Sequence, residues 1–521
     1  MKKQISIIDA PYVNDPMNLY GAIKNGRNGN TLLLESADLT THAGTQSLIL
    51  SDAALRIVCR GRSVTVNALT PNGECLLSKI CEVLPEIAKE QKGKSLIFSF
   101  PPIPENLDEE SRLLASSPMD VLRAVREAAL EFADPERILL AGIFAYDLIE
   151  VFEKLPAVET GTNTCPDFLF YLAENFLTIS HIAQTTHISS LLLSEDLAER
   201  SRLENRSREL AAFCERKFLN SQVVPEKDFN AVTVTTNKSD KVYCGEVEYL
   251  KTFIHRGDIF QVVPSRSFNL PCPDPERAYC VLRKSNPSPY MFFVDDAEFI
   301  VFGASPEISV KFTASSRLVE LYPIAGTRRR GFDADGNVNP DLDSRVEFEL
   351  RMDNKELSEH LMLVDLARND LARIAEPRTR CTQELLKVDR YSHVMHLVSH
   401  VVAKLRSDLD ALHAYQACMN MGTLTGAPKI RATELLRKVE GCRRGSYGGA
   451  VGYFNGNGDM DTCILIRSAF VKDGIATVQA GGGVVLDSIP QNEADESRNK
   501  AMAPIAAIAQ SQGKRIVFKD L

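Results

Sequence analysis

A chain of 521 residues with 44% hydrophobic and 25% charged side chains has material for a large core and roughly two to four structural units, which excludes a disordered polypeptide. Its net charge of −9 provides no basic face of the kind that nucleic-acid binding needs. Twelve scattered cysteines without a CxxC pair do not form a secreted disulfide framework and read as reduced, mostly small core residues.

The apolar stretch after Met1-Lys2-Lys3 ends at Asp9, too short for a signal peptide, and the late apolar run 501–509 contains Pro504 and is too short to span a bilayer. The expectation is a soluble, cytoplasmic protein. Tryptophan is absent from the chain.

In chain order, Thr31-Leu32-Leu33-Leu34 reads as a short buried strand ending at the polar Glu35-Ser36. Residues 194–219 read as an exposed helix capped by Ser194. The polar stretch 222–238 has no helical period and places a boundary between a region 1–225 and a region 239–521. The second region opens with a helix: Ser239 caps it, Val247, Leu250 and Ile254 repeat at helical spacing, and Gly257 ends it. Strand-like runs follow at 259–268, 290–294, 299–303 and 317–324. Arg328-Arg329-Arg330 reads as a solvated loop. Strands and helices in blocks argue for an α+β fold.

Two carboxylate pairs at i, i+3, Glu356/Glu359 and Glu493/Glu496, each fall on one face of a helix. Glu356 also has capping-box spacing from Asp353. Glu359 is followed at helical spacing by Met362, Leu363 and Leu366, and a carboxylate on such a face is costly unless paired or metal-bound. Two helices that each give one carboxylate, with water and substrate oxygens, suit Mg²⁺. Lys500, four residues after Glu496, is either an ordinary ion-pair partner or a cation beside these carboxylates. His393, His396 and His400 lie among Val and Leu residues that favour a strand, which makes three-histidine zinc ligation a poor fit and a structural role the default. The run Gly422-Thr423-Leu424-Thr425-Gly426-Ala427-Pro428-Lys429 lacks the glycine spacing of a phosphate-binding loop.

Together, Pro264-Ser265-Arg266, Gly303-Ala304-Ser305-Pro306-Glu307, Pro323-Ile324-Ala325-Gly326-Thr327, Glu356-Leu357-Ser358-Glu359-His360, Val364-Asp365-Leu366-Ala367-Arg368-Asn369-Asp370, the run 422–429 and Gln479-Ala480-Gly481-Gly482-Gly483 resemble the chorismate-utilising enzymes. Leu33-Leu34-Glu35-Ser36 and Asn286-Pro287-Ser288-Pro289-Tyr290-Met291 look like the tryptophan-sensing motifs of the anthranilate synthase large subunits in that family.

The resemblance implies antiparallel β-sheets packed face to face with helices outside. It implies Mg²⁺ ligation by Glu359 and Glu496, Glu307 as general acid, and His396 beside the substrate ring. Arg467, Tyr447, Thr327, Lys500 and the backbone around Gly326, Gly481, Gly482 and Gly483 become the substrate contacts. Inhibitory L-tryptophan would meet Glu35, Ser36, Pro289, Tyr290 and Met291. Where isochorismate and salicylate synthases carry a water-activating Lys, this chain has Gln261, whose amide is no base near neutral pH. Where aminodeoxychorismate synthases carry a Lys that attacks the ring, it has Ala325. The resemblance therefore implies conversion of chorismate and ammonia to anthranilate and pyruvate. No Cys-centred amidotransferase signature is present in the chain, so ammonia would come from a glutamine amidotransferase subunit in a heterotetramer of two large and two small subunits. Aminodeoxychorismate synthesis and a non-catalytic tryptophan-binding regulator are the alternatives.

Overall fold

The computed structural model describes residues 4–24, 29–37, 44–216, 230–333, 335–390 and 394–519, and two antiparallel sheets packed face to face form its centre. One sheet runs from Gly44–Arg60 through Thr31–Ala37, Tyr290–Asp295, Ile300–Ser305, Ser468–Lys472 and Ile475–Gly481 to Ser265–Pro271 and Ala231–Thr236. The other leaves the same strand Gly44–Arg60 through Phe168–Ser180, Leu139–Phe144, Ala450–Asn455, Met460–Ile464, Ile308–Thr313 and Leu318–Leu321 to Val394–Lys404. Gly44–Arg60 serves both because its register against Phe168–Ser180 slips near Leu50 to Leu55, and such bulges bend a strand.

Apolar residues alternate between two layers, as strand geometry dictates. Leu32, Leu50, Phe292 and Val294 of the first sheet join Ile143, Leu169 and Val451 of the second in one inner cluster. Their neighbours Leu33, Phe293 and Phe302 face outward onto Tyr279 and Leu282 of the helix Pro275–Ser285 and Ile505 and Ile508 of the helix Pro490–Ser511. On the far side, Phe144 and Phe170 pack with Leu122, Val125 and Tyr415 of outer helices. The fold is α+β, with sheets inside and helices outside, as expected.

Strand Thr31–Ala37 does not stop at Glu35-Ser36. It has a partner strand on each edge, with Glu35 opposite Met291 and Ser36 opposite Tyr290, and Arg283 pairs with the Glu35 charge. The helix expected from Ser194 begins at Leu197; Asp196 is the cap, accepting from Ala198 N, and Ser194 Oγ instead accepts from Asp196 N. The helix ends at Cys214, short of the expected Leu219, which lies outside the described residues; so do residues 222–229, and the rest of 222–238 holds the strand Ala231–Thr236. The helix Asp240–His255 matches expectation: Ser239 accepts from Val242 N, and Gly257 follows at φ +77°. The run 259–268 is two strands, Gln261–Val262 and Ser265–Pro271, because Pro264 has no N–H for a ladder.

The three arginines are not a solvated loop. Arg328 and Arg329 end the strand Ile324–Arg329, where Arg328 pairs with Asp353 and Glu356, and Arg330 pairs with Asp343. Strands from 1–225 and 239–521 share both sheets, joined where Thr31–Ala37 pairs with Tyr290–Asp295 and where Leu139–Phe144 pairs with Ala450–Asn455.

Candidate active site

Two helix starts face one cavity. Asp353 caps the helix Asn354–Ala372 by accepting from the amides of Lys355 and Glu356. The Glu356 carboxylate accepts from Arg328 Nη1 at 2.7 Å, so it anchors the strand Ile324–Arg329 to this helix. One turn on, Glu359 Oε1 accepts from Gln261 Nε2 at 2.7 Å. The helix Pro490–Ser511 brings Glu493 and Glu496 to the same space, with Lys500 Nζ 2.7 Å from Glu496 Oε1. Both members of that last pair are about half exposed, which makes it a weak stabiliser, and both line the cavity.

The cavity measures about 570 Å³. It gathers Gln261, Glu307, Gly326, Thr327, Glu359, His396, Tyr447, Arg467, Gly481, Gly483, Glu496 and Lys500 from positions spread across some 240 residues of sequence. Gly482 sits between its two neighbours, and a Cβ there would lie 2.5 Å from Glu493 Oε2. At Gly483 a Cβ would lie 2.5 Å from Gln261 Nε2, so only glycine leaves the Gln261–Glu359 contact undisturbed. The strand Ile324–Arg329 shifts register around Gly326, whose φ of +77° suits glycine alone.

Glu307 follows the strand Ile300–Ser305 and is buried. Burial pushes its carboxyl up to about 8, against the opposing pull of the Thr423 hydroxyl and the charges of Lys500 and Arg467. It therefore carries a proton near neutral pH. His396, on the strand Val394–Lys404, is buried 2.9 Å (Nδ1) from Thr327 Oγ1. Burial, then the Arg467 charge, lowers it to about 3, which keeps the ring neutral. Tyr447 is buried under the Arg444 guanidinium, which lies 5.5 Å from its ring centre.

Glu359 is raised from its ordinary value by burial and then by the Glu356 charge, with Glu496 acting the same way. Two mutually repelling carboxylates from separate helices fit a hard cation. Gln261 Oε1 and Glu493 Oε2 beside them are buried oxygens without a hydrogen-bond partner, which points the same way. Among the described residues no three His, Cys, Asp or Glu side chains converge as a ready metal cage. A two-carboxylate site completed by water and substrate oxygens suits Mg²⁺, which gives up its waters reluctantly.

Sequence reading placed Glu356 and Glu493 in pairs, gave Glu356 only a capping role and Glu493 none, and assigned Thr423, Lys355, Asn286 and Asn499 no place at the cavity wall. Thr423 lay inside a noted motif, 422–429. His400 pairs with Glu320 and stacks on Tyr322, the structural role expected by default. His393 lies outside the described residues. Lys429 binds Asp370 and two backbone carbonyls.

A second, smaller pocket lies between the sheets, lined by residues that include Leu34, Glu35, Ser36, Tyr290, Met291, Tyr453 and Asp461. The Glu35 carboxylate accepts from Tyr279 Oη and Arg283 Nε. Tyr290 Oη donates to Asp461. Pro289 is not a wall residue, but its carbonyl accepts from Ala37 N at 2.7 Å, which joins the two segments.

The chorismate binding enzyme family matches residues 90–506. The chain is 52% identical over 514 residues to anthranilate synthase component 1 of Escherichia coli (strain K12), covering 98% of each. It is 52% identical to anthranilate synthase component 1 of Vibrio cholerae, covering 97% of this chain and 96% of that one. The crystal structure of anthranilate synthase component I from Streptococcus pneumoniae superposes with a TM-score of 0.67 at 28% identity, over 88% of this chain and 92% of that one. The menaquinone-specific isochorismate synthase of Escherichia coli shares the fold, with a TM-score of 0.66 at 16% identity over 96% and 94%. With this fold, this cavity and these relatives, the chain belongs to the chorismate binding enzyme family, on its anthranilate synthase component 1 branch.

Proposed function

We propose that this cavity converts chorismate and ammonia to anthranilate, pyruvate and water, with ammonia supplied from glutamine by a partner amidotransferase subunit. The relatives are named anthranilate synthase component 1, which supports the large-subunit role for this chain. The observation that carries the reading is the buried Glu307 carboxyl, met by the Thr423 hydroxyl, in the same cavity as Glu359, Glu496 and Arg467.

Glu307 gives its proton to the ring hydroxyl as that group departs. Gln261 is no base and Ala325 no amine, so neither makes water or the protein itself the nucleophile, and free ammonia adds. Arg467 offers a fork to a substrate carboxylate and Tyr447 a hydroxyl. Thr327 and the backbone of Gly326 and Gly481 to Gly483 fix the substrate beside the neutral His396, which assists loss of pyruvate from the amino intermediate. Glu359 and Glu496 would hold Mg²⁺, which supplies positive charge to the other carboxylate of the dianion.

The second pocket is proposed to take L-tryptophan as a feedback inhibitor. It combines apolar walls from Leu34 and Tyr453 with the Ser36 hydroxyl. Because Glu35 is engaged by Arg283 and Tyr279, Asp461 is the freer anion for the ligand's ammonium. The decisive assay is purified chain with chorismate, an ammonium salt and Mg²⁺, followed by anthranilate fluorescence. The reading expects turnover with ammonium and none with glutamine until the partner is added. Absence of anthranilate with ammonium rejects the reaction, and glutamine use by the single chain rejects the partner.

A further inference from the structure

Glu307 is met by the hydroxyl of Thr423, in the short turn Gly422–Thr425. A Cβ at Gly422 would lie 2.3 Å from Leu366 Cδ2 and 3.2 Å from Leu363 Cδ2, so glycine lets this turn press against the helix that carries Glu359. Thr425 Oγ1 lies 3.1 Å from Tyr146 Oη, and its carbonyl accepts from Val263 N at 3.1 Å. The turn is thus fastened on three sides, and Thr423 has its place before substrate arrives.

A carboxylic acid has two oxygens and one transferable proton. Thr423 Oγ1 donates to Glu307 Oε1 at 2.9 Å. An oxygen that accepts this bond acts as the carbonyl oxygen of the acid, which leaves the proton to Oε2. We propose that Thr423 is a positioning residue that assigns the transferable proton of Glu307 to Oε2, and that Gly422 keeps this acid in register with the carboxylates of the helix Asn354–Ala372. The proposal rests on reading Glu307 as the general acid. In the step, nitrogen's lone pair forms the new C–N bond, the ring π electrons shift, and the C–O pair leaves with oxygen. That oxygen takes the Oε2 proton and departs as water. The new ammonium then yields one proton, which restores the acid.

The test compares Thr423→Val, which keeps the shape without the donor, with Thr423→Ser, which keeps a hydroxyl, and with Glu307→Gln, all in the full chain with ammonium, chorismate and Mg²⁺. Thr423→Val is expected to lower kcat by roughly ten- to a hundredfold, part of what a placed acid contributes, with KM for chorismate changed by less than about threefold. Thr423→Ser is expected to restore most of kcat. The charges acting on Glu307 are Lys500 and Arg467, and both variants keep them. Loss of the hydroxyl should therefore move the basic limb of kcat/KM to higher pH. The infrared carbonyl band of protonated Glu307, identified by its loss in Glu307→Gln, should move to higher wavenumber in Thr423→Val.

A Thr423→Val enzyme with kcat within about twofold of the parent and an unmoved limb and band overturns the proposal. So does an equal loss in Thr423→Ser, which marks a merely structural site. If the valine variant does not fold, Thr423→Ala is read in the same way. Near-parent activity of Glu307→Gln rejects the general-acid reading itself. An inactive Glu307→Gln beside an unaltered Thr423→Val rejects this inference alone.

Discussion

Tyr290 is the direct cross-strand partner of Ser305, and of Ser36 on its other edge. It thus joins the wall of the second pocket to the strand end that leads to Glu307, whose amide lies 3.3 Å from Ser305 Oγ. A ligand that shifts Tyr290 therefore works against the strand that presents Glu307, the proposed general acid. Ser36→Phe is expected to fill the pocket and raise the tryptophan concentration for half-inhibition by about tenfold or more, with uninhibited activity largely kept. That corresponds to losing a coupling within the usual ~1–3 kcal/mol. Because the chain contains no tryptophan, a change in fluorescence of the added amino acid reports binding without a tryptophan signal from the protein. By reciprocity, chorismate should weaken that binding. Matching inhibition curves for both proteins would remove Ser36 from the site, and binding indifferent to chorismate would remove the linkage.

The protonation of Glu307 sets a pH limit. In the proposed reaction the acid form is the working form, so kcat/KM for chorismate at constant free ammonia should stay level below about 8 and fall tenfold per pH unit above it. His396, neutral down to about 3, should add no limb between pH 5 and 7. A rate that keeps rising through pH 9 under these conditions would contradict the assignment of the acid.

Glu359→Gln and Glu496→Gln should each lower kcat by at least about a hundredfold, because a metal centre supplies several kcal/mol to the transition state. Calorimetric titration in the presence of chorismate should show weaker Mg²⁺ binding in both. Activity within a few fold of the parent, with the same Mg²⁺ dependence, counts against this pair of ligands.

Gln261→Lys tests what selects the nucleophile. The Lys amine would sit beside Glu359, where Gln261 Nε2 now donates; burial favours its neutral, water-activating form and the carboxylate opposes it. A hydroxylated product should appear beside anthranilate by mass spectrometry. Anthranilate alone would show that residue 261 is insufficient to choose between water and ammonia.

Much of the cavity wall was legible in sequence because it is carried by short motifs: Glu307 after Ser305-Pro306, and Glu359 one turn from Glu356. What sequence did not show depends on packing between distant segments. Thr423 reaches Glu307 only because Gly422 lets its turn settle on Leu366. Arg328 looked like one of three solvated charges until the strand Ile324–Arg329 met the cap of the next helix at Asp353. The strand Thr31–Ala37 looked finished at its first polar residue because its second neighbour, Tyr290–Asp295, lies far along the chain.

That last pairing bears on how the protein is made. Thr31–Ala37 emerges from the ribosome with one edge unfilled, and its partner follows roughly 250 residues later. At about 5–20 residues per second the wait is on the order of 10–50 s. An apolar Leu32-Leu33-Leu34 edge exposed for that long is prone to pairing with neighbouring nascent chains. Slower elongation before residue 290, or shortage of a chaperone that covers such edges, should therefore cut the soluble yield more than the activity of the molecules that do fold.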